Sequence, residues 1–337
     1  MLIKRTIGKH SNMLLVGEGA TSFGIGDIVY EDNYDHVLKK YGKSELSDAF
    51  KIAKDYGVKD VFLMNVKTSS QYLEHIKLLK DYDFTYIVPV SVYISDTMND
   101  PYNNNAEYSY ITYILSMISD SKSESVIIAT DKHASLYEDM DIFIEDMNFA
   151  ASYITDGSTN RMKLNNVIFV ANNLEETEHA NVYLASVLCT IPLSKYPEDE
   201  FGKTIFDIDS WDGLKNVAYF KPHTDGSVTI ENLLNFEKGG PLKIVYIDRI
   251  IKALSREIEF NEFIGKGYTE YRRVRIQEKL AKYLEDQIGK TIYDFNINSV
   301  YATKTKQHPG TVTVYCDFSV WPLNCIAECR ISKEIEI

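Results

Sequence analysis

Short apolar runs alternate with longer amphipathic stretches through the first two-thirds of the sequence, and few architectures tolerate that rhythm. Met13–Val16 is apolar and ends at Gly17. Glu45–Tyr56 places Leu46, Ala49, Phe50 and Ala53 at helical spacing and closes on Gly57, a natural helix C-cap. Asp60–Val66 then reads as a strand and Gln71–Tyr82 as a helix. Thr85–Ile94 is a strand in which Pro89 predicts an edge position or a bulge. Tyr108–Ile118, Ser125–Thr130, Glu138–Ile154, Asn166–Ala171 and Glu176–Cys189 continue the pattern as helix, strand, helix, strand and helix. Strands separated by helices of about a dozen residues predict βαβ units: a mixed, mostly parallel sheet with flanking helices.

The rhythm then breaks. Leu193–Lys215 is irregular, interrupted by Pro197, Gly202 and Gly213, and short strands are expected at Val217–Phe220 and Ser227–Ile230. Lys238-Gly239-Gly240-Pro241 is the best boundary in the chain, because Gly-Gly and Gly-Pro steps interrupt both helix and sheet. Beyond it Leu242–Phe260 and Tyr268–Ile288 are predicted helices. Strands follow at Thr291–Val300 and Thr311–Val320, joined by His308-Pro309-Gly310, and a last strand-like segment spans Cys325–Ile337. This is a C-terminal α+β module with an extended terminal strand. The expected division is an N-terminal arm at 1–12, an α/β domain at 13–240, and the α+β domain at 241–337, with a C-terminal arm from about 325.

Charge is divided along the same line. The formal net charge is −13, but from Pro241 onward there are 15 Lys and Arg against 13 Asp and Glu, leaving 21 against 36 in residues 1–240. An acidic chain of this kind is not expected to bind the nucleic-acid phosphate backbone. Four cysteines in 337 residues give no disulfide framework, and Cys325-x3-Cys329 lacks a second pair for zinc. No stretch is long and apolar enough for a signal peptide or a membrane span, so neither is expected.

Candidate chemistry is thin. Gly17-Glu18-Gly19-Ala20-Thr21-Ser22-Phe23-Gly24 follows a strand and loosely imitates a dinucleotide-binding turn. No helix is expected to start there, however, and Glu18 and Asp27 would repel phosphate. Gly42-Lys43-Ser44 ends like a phosphate loop but lacks the earlier glycine, so Ser44 reads better as an N-cap. Asp131-Lys132-His133 lies at a strand end, where α/β enzymes keep catalytic groups. The seven histidines form no metal-binding pair, and no nucleophile elbow is present. The expectation is no catalytic residue, no metal and no cofactor.

Two surfaces carry more information. At 100° per residue, Val274, Leu280, Ala281, Leu284 and Ile288 share one face of the Tyr268–Ile288 helix. Arg272, Arg275, Lys279 and Lys282 form a stripe on the other side, with Asp286 at its end. Such a stripe suits an acidic partner, although a solvated face is the plain alternative. At the chain ends, apolar alternation runs through Leu2, Ile3 and Arg5 and through Ile331, Lys333, Ile335 and Ile337. Strands of this kind can be captured by a neighbouring sheet edge, or can complete the chain's own sheet.

Asn261-Glu262-Phe263-Ile264-Gly265-Lys266, the helix Arg272–Gln287 and the strands up to Ile337 resemble the C-terminal region of phage tail sheath proteins. Val312–Leu323 is similar to that family's final strand, and Val37–Gly42 with Glu45–Val66 to its early pattern. The segment before the first core strand is shorter than the family's usual N-terminal arm. The resemblance implies a virion or phage-tail-like particle assembled in a bacterial cytoplasm. In it, homo-hexameric rings stack helically around a tail tube and contract to drive the tube through the target envelope. It further implies an outer α/β domain, an inner C-terminal domain whose stripe of Arg272, Arg275, Lys279 and Lys282 contacts an acidic tube, terminal arms exchanging strands, and contacts with baseplate and tail terminator proteins. It implies no enzyme activity, no nucleic-acid partner and no membrane partner. The alternatives are an α/β nucleotide-binding protein or enzyme using the Gly17–Gly26 loop, or a sheath-like baseplate component.

Overall fold

The structure, a computed structural model, describes residues 11–67, 71, 74–75, 78–79, 82, 84–90, 125–155, 167–175, 179–190, 213–214, 217–224, 228–232, 261–263, 267–304, 312–322 and 329–336. They belong to two compact units, one holding the described residues up to 232 and the other those from 261. Leu2, Ile3, Arg5, Ile337, the Tyr108–Ile118 and Leu242–Phe260 helices and the Gly239-Gly240-Pro241 boundary lie outside the described residues.

The first unit is built on a six-stranded sheet in the order β2-β3-β1-β4-β5-β6. Its strands are β1 (Asn12–Gly17), β2 (Ile28–Glu31), β3 (Asp60–Asn65), β4 (Tyr86–Pro89), β5 (Val126–Thr130) and β6 (Val167–Val170). All pairings are parallel except β2 on β3. The sheet is thus mixed and mostly parallel, as the alternating pattern predicts. Disregarding β2, the parallel strands run in the doubly wound order 2-1-3-4-5, with the direction reversing between β1 and β4.

Three helices of the sequence reading are present: α2 (Glu45–Asp55), α3 (Met140–Thr155) and α4 (Ala180–Thr190). A further helix, α1 (Tyr34–Tyr41), and the short strand β2 were not expected, because residues 26–35 are too polar and short to show a period. Asn33 caps α1 by accepting from the Asp35 and His36 amides, and Ser44 and Ser47 close a reciprocal capping box on α2. Helix α4 is apolar all round and buried from Ala180 to Leu188, which fits a helix enclosed by the sheet and α2.

One expectation is corrected. Strand β4, carrying Pro89, is an interior strand and not an edge. Val90 N–H bonds the Val16 carbonyl, so alternation points the Pro89 nitrogen towards β5, and pairing with β5 ends at Ile87. The missing N–H therefore falls where the ladder has stopped. Beyond β6, Ala218 bonds back to Phe169 and Ala171 and leads into a hairpin of β7 (Tyr219–Pro222) and β8 (Val228–Glu231).

The second unit packs α5 (Glu270–Gln287) on an antiparallel sheet ordered β11-β10-β9. Its strands are β9 (Ile292–Lys304), β10 (Val312–Pro322) and β11 (Cys329–Glu336). Ile276, Leu280 and Leu284 pack with Ile292, Val300, Val314, Cys316, Phe318 and Val320. The buried helix face is thus centred on 276, 280 and 284, and Val274 and Ile288, expected inside, are exposed. An i, i+4, i+8 ridge suffices here because Arg273, Gln277 and Tyr283 cover its flanks with half-buried stems. Register slips leave Tyr293 and Asn298 as extra residues in β9, so this edge strand carries two bulges.

Candidate functional site

In a doubly wound sheet, ligands bind beyond the carboxyl ends of the strands, at the point where the strand order reverses. That point lies between β1 and β4, beside the glycine loop of residues 17–26. A Cβ at Gly17 would lie 2.8 Å from the Val90 Cβ and 3.1 Å from the Val90 carbonyl oxygen, so a neighbouring side chain already fills the space. Several of the loop's amides are tied down within it. Gly19 N–H bonds Asn65 Oδ1 at 2.9 Å, Gly26 N–H bonds the Asn65 carbonyl at 2.9 Å, and Asp27 N–H bonds the Gly24 carbonyl at 3.0 Å. The Asn65 amide nitrogen donates to the Thr21 and Phe23 carbonyls at 3.1 and 2.9 Å. Gly26, at φ +80°, lies against the His75 ring, where any side chain would collide. The chain then enters β2, not a helix. Gly17 and Gly26 serve close packing, and among the described residues no helix begins at the loop to receive a phosphate.

The same sealing recurs at β5 and β6. His133 Nε2 lies 2.6 Å from the Leu174 carbonyl, which fixes the proton on Nε2, and Nδ1 lies 2.7 Å from Ser135 Oγ. Both ring nitrogens are engaged, leaving no free base. Asn172 donates to the Asp131 carbonyl at 3.0 Å, Asn173 to the Phe220 carbonyl at 2.9 Å, and Asn181 of α4 to the Pro89 carbonyl at 2.7 Å. All three asparagines and Asn65 are buried. The sequence reading missed these four amides; the available signal was an asparagine ending or following an apolar run at Asn65, Asn172 and Asn173, and at Asn181 one within the first turn of an apolar helix. Among the described residues no three His, Cys, Asp or Glu converge as metal ligands, and no helix is long and apolar enough to cross a membrane.

The second unit holds both the helix stripe and the C-terminal strand. Arg275 and Lys282 are exposed, whereas Arg272 and Lys279 are half-buried on the flank of the packed ridge. Arg272 donates to the Gly267 carbonyl, Arg275 pairs with Glu278 at 3.5 Å, and Lys279 pairs with Glu262 at 3.2 Å. Glu270 sits outside the stripe, and its hydrogen bond from Arg273 holds the carboxyl below its usual range. In β11, Ile331, Lys333 and Ile335 pair in register with Phe318, Cys316 and Val314 of the same chain. The strand therefore completes its own sheet, as an unbulged edge of eight residues. On the face away from α5, Tyr301 and Tyr315 stack with ring centroids 5.3 Å apart, and Ser299 Oγ donates to Asp317.

No protein-family model matches the chain, and no curated protein matches it. Solved structures do. A sheath tail protein of Desulfitobacterium hafniense aligns with a TM-score of 0.60 at 10% identity, covering 100% of this chain and 99% of its own. A sheath tail protein of Listeria innocua aligns at 0.60 and 10% identity, covering 98% and 96%. A chain in the contracted baseplate of the anti-feeding prophage aligns at 0.54 and 10% identity, covering 89% and 86%. At this identity the likeness is one of fold, and it spans both units.

Proposed function

We propose that this chain is a structural subunit of a contractile tail sheath, assembling with copies of itself around a tail tube in a phage or phage-tail-like particle. The observation that carries the reading is the end-to-end fold likeness to two sheath tail proteins. The sealed carboxyl edge of the first sheet supports a scaffold role over the nucleotide-binding one. In this proposal residues 13–240 form the outer domain and 241–337 the inner one, with arms at 1–12 and from about 325. Rings of six stack helically, and contraction is a switch between two subunit packings, with free energy stored in assembly and not drawn from nucleotide. The α5 stripe of Arg272, Arg275, Lys279 and Lys282 is offered to an acidic partner surface.

Strand exchange is the proposed link between copies. The cis register of β11 on β10 is also the register a neighbour's strand would take, as in domain swapping. A cross-strand disulfide from Thr313→Cys with Glu336→Cys would lock β11 at home. We expect the locked protein to stay small in solution and to form striated tubes by negative-stain microscopy once reduced. Tubes of normal length from the locked protein would rule out exchange. A second reading, favoured by the likeness to a baseplate chain, is a sheath-like component present in few copies. Discrete small complexes in place of tubes would support it.

A further inference from the structure

Helix α3 presents an acidic and apolar face to solvent. Its buried positions are Phe143, Ile144, Met147, Ala150 and Ala151. The opposite side carries Asp141, Ile142, Glu145 and Phe149, with Ile142 53% and Phe149 45% exposed. Glu138 and Asp139, just before the helix, and Leu136 are exposed too. No Lys or Arg occurs between Lys132 and Arg161, so nothing on this segment offsets its charge. Single exposed apolar residues are ordinary, but three beside carboxylates in a segment without Lys or Arg make a patch that suits a partner both basic and apolar.

The chain itself carries such a surface. On α5, Tyr271 is 73% and Val274 40% exposed, and they adjoin the stripe of Arg272, Arg275, Lys279 and Lys282. The spacings also agree. Reading back along the first segment, Phe149, Glu145, Asp141 and Glu138 step by four, four and three; Tyr271, Arg275, Lys279 and Lys282 step forward by the same intervals. Set antiparallel, the helices oppose Phe149 to Tyr271, Glu145 to Arg275 and Asp141 to Lys279, with Glu138, just ahead of α3, on the side of Lys282. Rows at i±4 are the ridges by which helices pack.

We propose that the acidic partner of α5 is the α3 face of a second copy, joined in this antiparallel register. The proposal rests on the reading of the chain as a self-assembling subunit and names one contact within that assembly. Because the two faces differ, a single contact leaves one face free on each copy, from which the contact can repeat into a ring or a filament. The exposed pair Arg275–Glu278 and the partly exposed pair Lys279–Glu262 exchange partners at little cost, since ion pairs open to solvent are weak.

The test uses two variants of the full chain: Asp141→Lys with Glu145→Lys, and Arg275→Glu with Lys279→Glu. Circular dichroism checks their folding, and light scattering with microscopy reads tube-free assembly. Each variant alone should need roughly ten times more protein than wild type to assemble, less so in high salt. Mixing them should restore assembly, because every contact in an alternating polymer again joins opposite charges. Variants that are folded but assemble as wild type does, or a mixture no better than its components, would overturn the contact. So would loss of co-sedimentation with a tail tube for the α5 variant alone while tube-free assembly is unchanged, which would assign the stripe to the tube. Wild type that never self-associates would overturn the assembly reading itself.

Discussion

Tyr41 closes α1 with its ring fully buried edge-on to Phe23, and its hydroxyl has no hydrogen-bond partner. Burial first, then the carboxylates of Glu31 and Asp27, push its phenol up to about 12. A buried hydroxyl without a partner costs about 1–3 kcal/mol, so Tyr41→Phe should be neutral or stabilising by roughly 1 kcal/mol in urea unfolding. The pH dependence has a definite sign. The unfolded chain releases this proton near its ordinary value of 10 and the folded chain near about 12, so stability present below pH 10 is lost as pH rises through that window. The difference between wild type and Tyr41→Phe should show this alkaline loss in the wild type alone. Asn65 is the opposite case, a polar side chain with all its hydrogen bonds made. Asn65→Ala strands the Gly19 amide and the Thr21 and Phe23 carbonyls, and should cost about 2–3 kcal/mol and expose the 18–27 loop to proteolysis.

Helix α5 separates packing from proposed docking within a single element. Leu280→Ala should cost about 2–5 kcal/mol by opening a cavity against Val314, Cys316 and Phe318, whereas Val274→Ala should stay within about 0.5 kcal/mol. Chemical unfolding followed by a probe in the second unit distinguishes the two. Periodicity alone placed both residues on the inner face because a stripe drawn through 274, 281 and 288 is nearly as apolar as one through 276, 280 and 284. The decision came from which ridge meets the sheet, and that is a tertiary fact. The sheet shows a comparable division. Strand β9 carries bulges at Tyr293 and Asn298, Tyr293 being 74% exposed, and an edge so kinked resists strand addition. Strand β11 pairs without a slip, so the proposed exchange belongs to that side.

At the scale of the molecule, the first unit was legible in outline. Five of its six sheet strands and three of its helices announce themselves by period, since a mostly parallel sheet needs continuous apolar runs such as Val126–Thr130 and Val167–Val170. Strand β2 and helix α1 were not legible, because short polar elements are fixed by neighbours and caps and not by pattern. Nor were the four amides at the carboxyl edge, whose partners are carbonyls and amides remote in sequence. The proposed assembly surfaces were visible as residues but not as geometry, for a stripe acquires its neighbours only when the helix is seated. Helix α4 has a last consequence. A segment buried on every side has no route to solvent short of global opening, so the amides of Ala180–Leu188 should be among the slowest in the first unit to exchange with deuterium. Their exchange rate then reports the global stability of that unit, and a subunit strained within an assembly would betray the strain there as faster exchange than in the free chain.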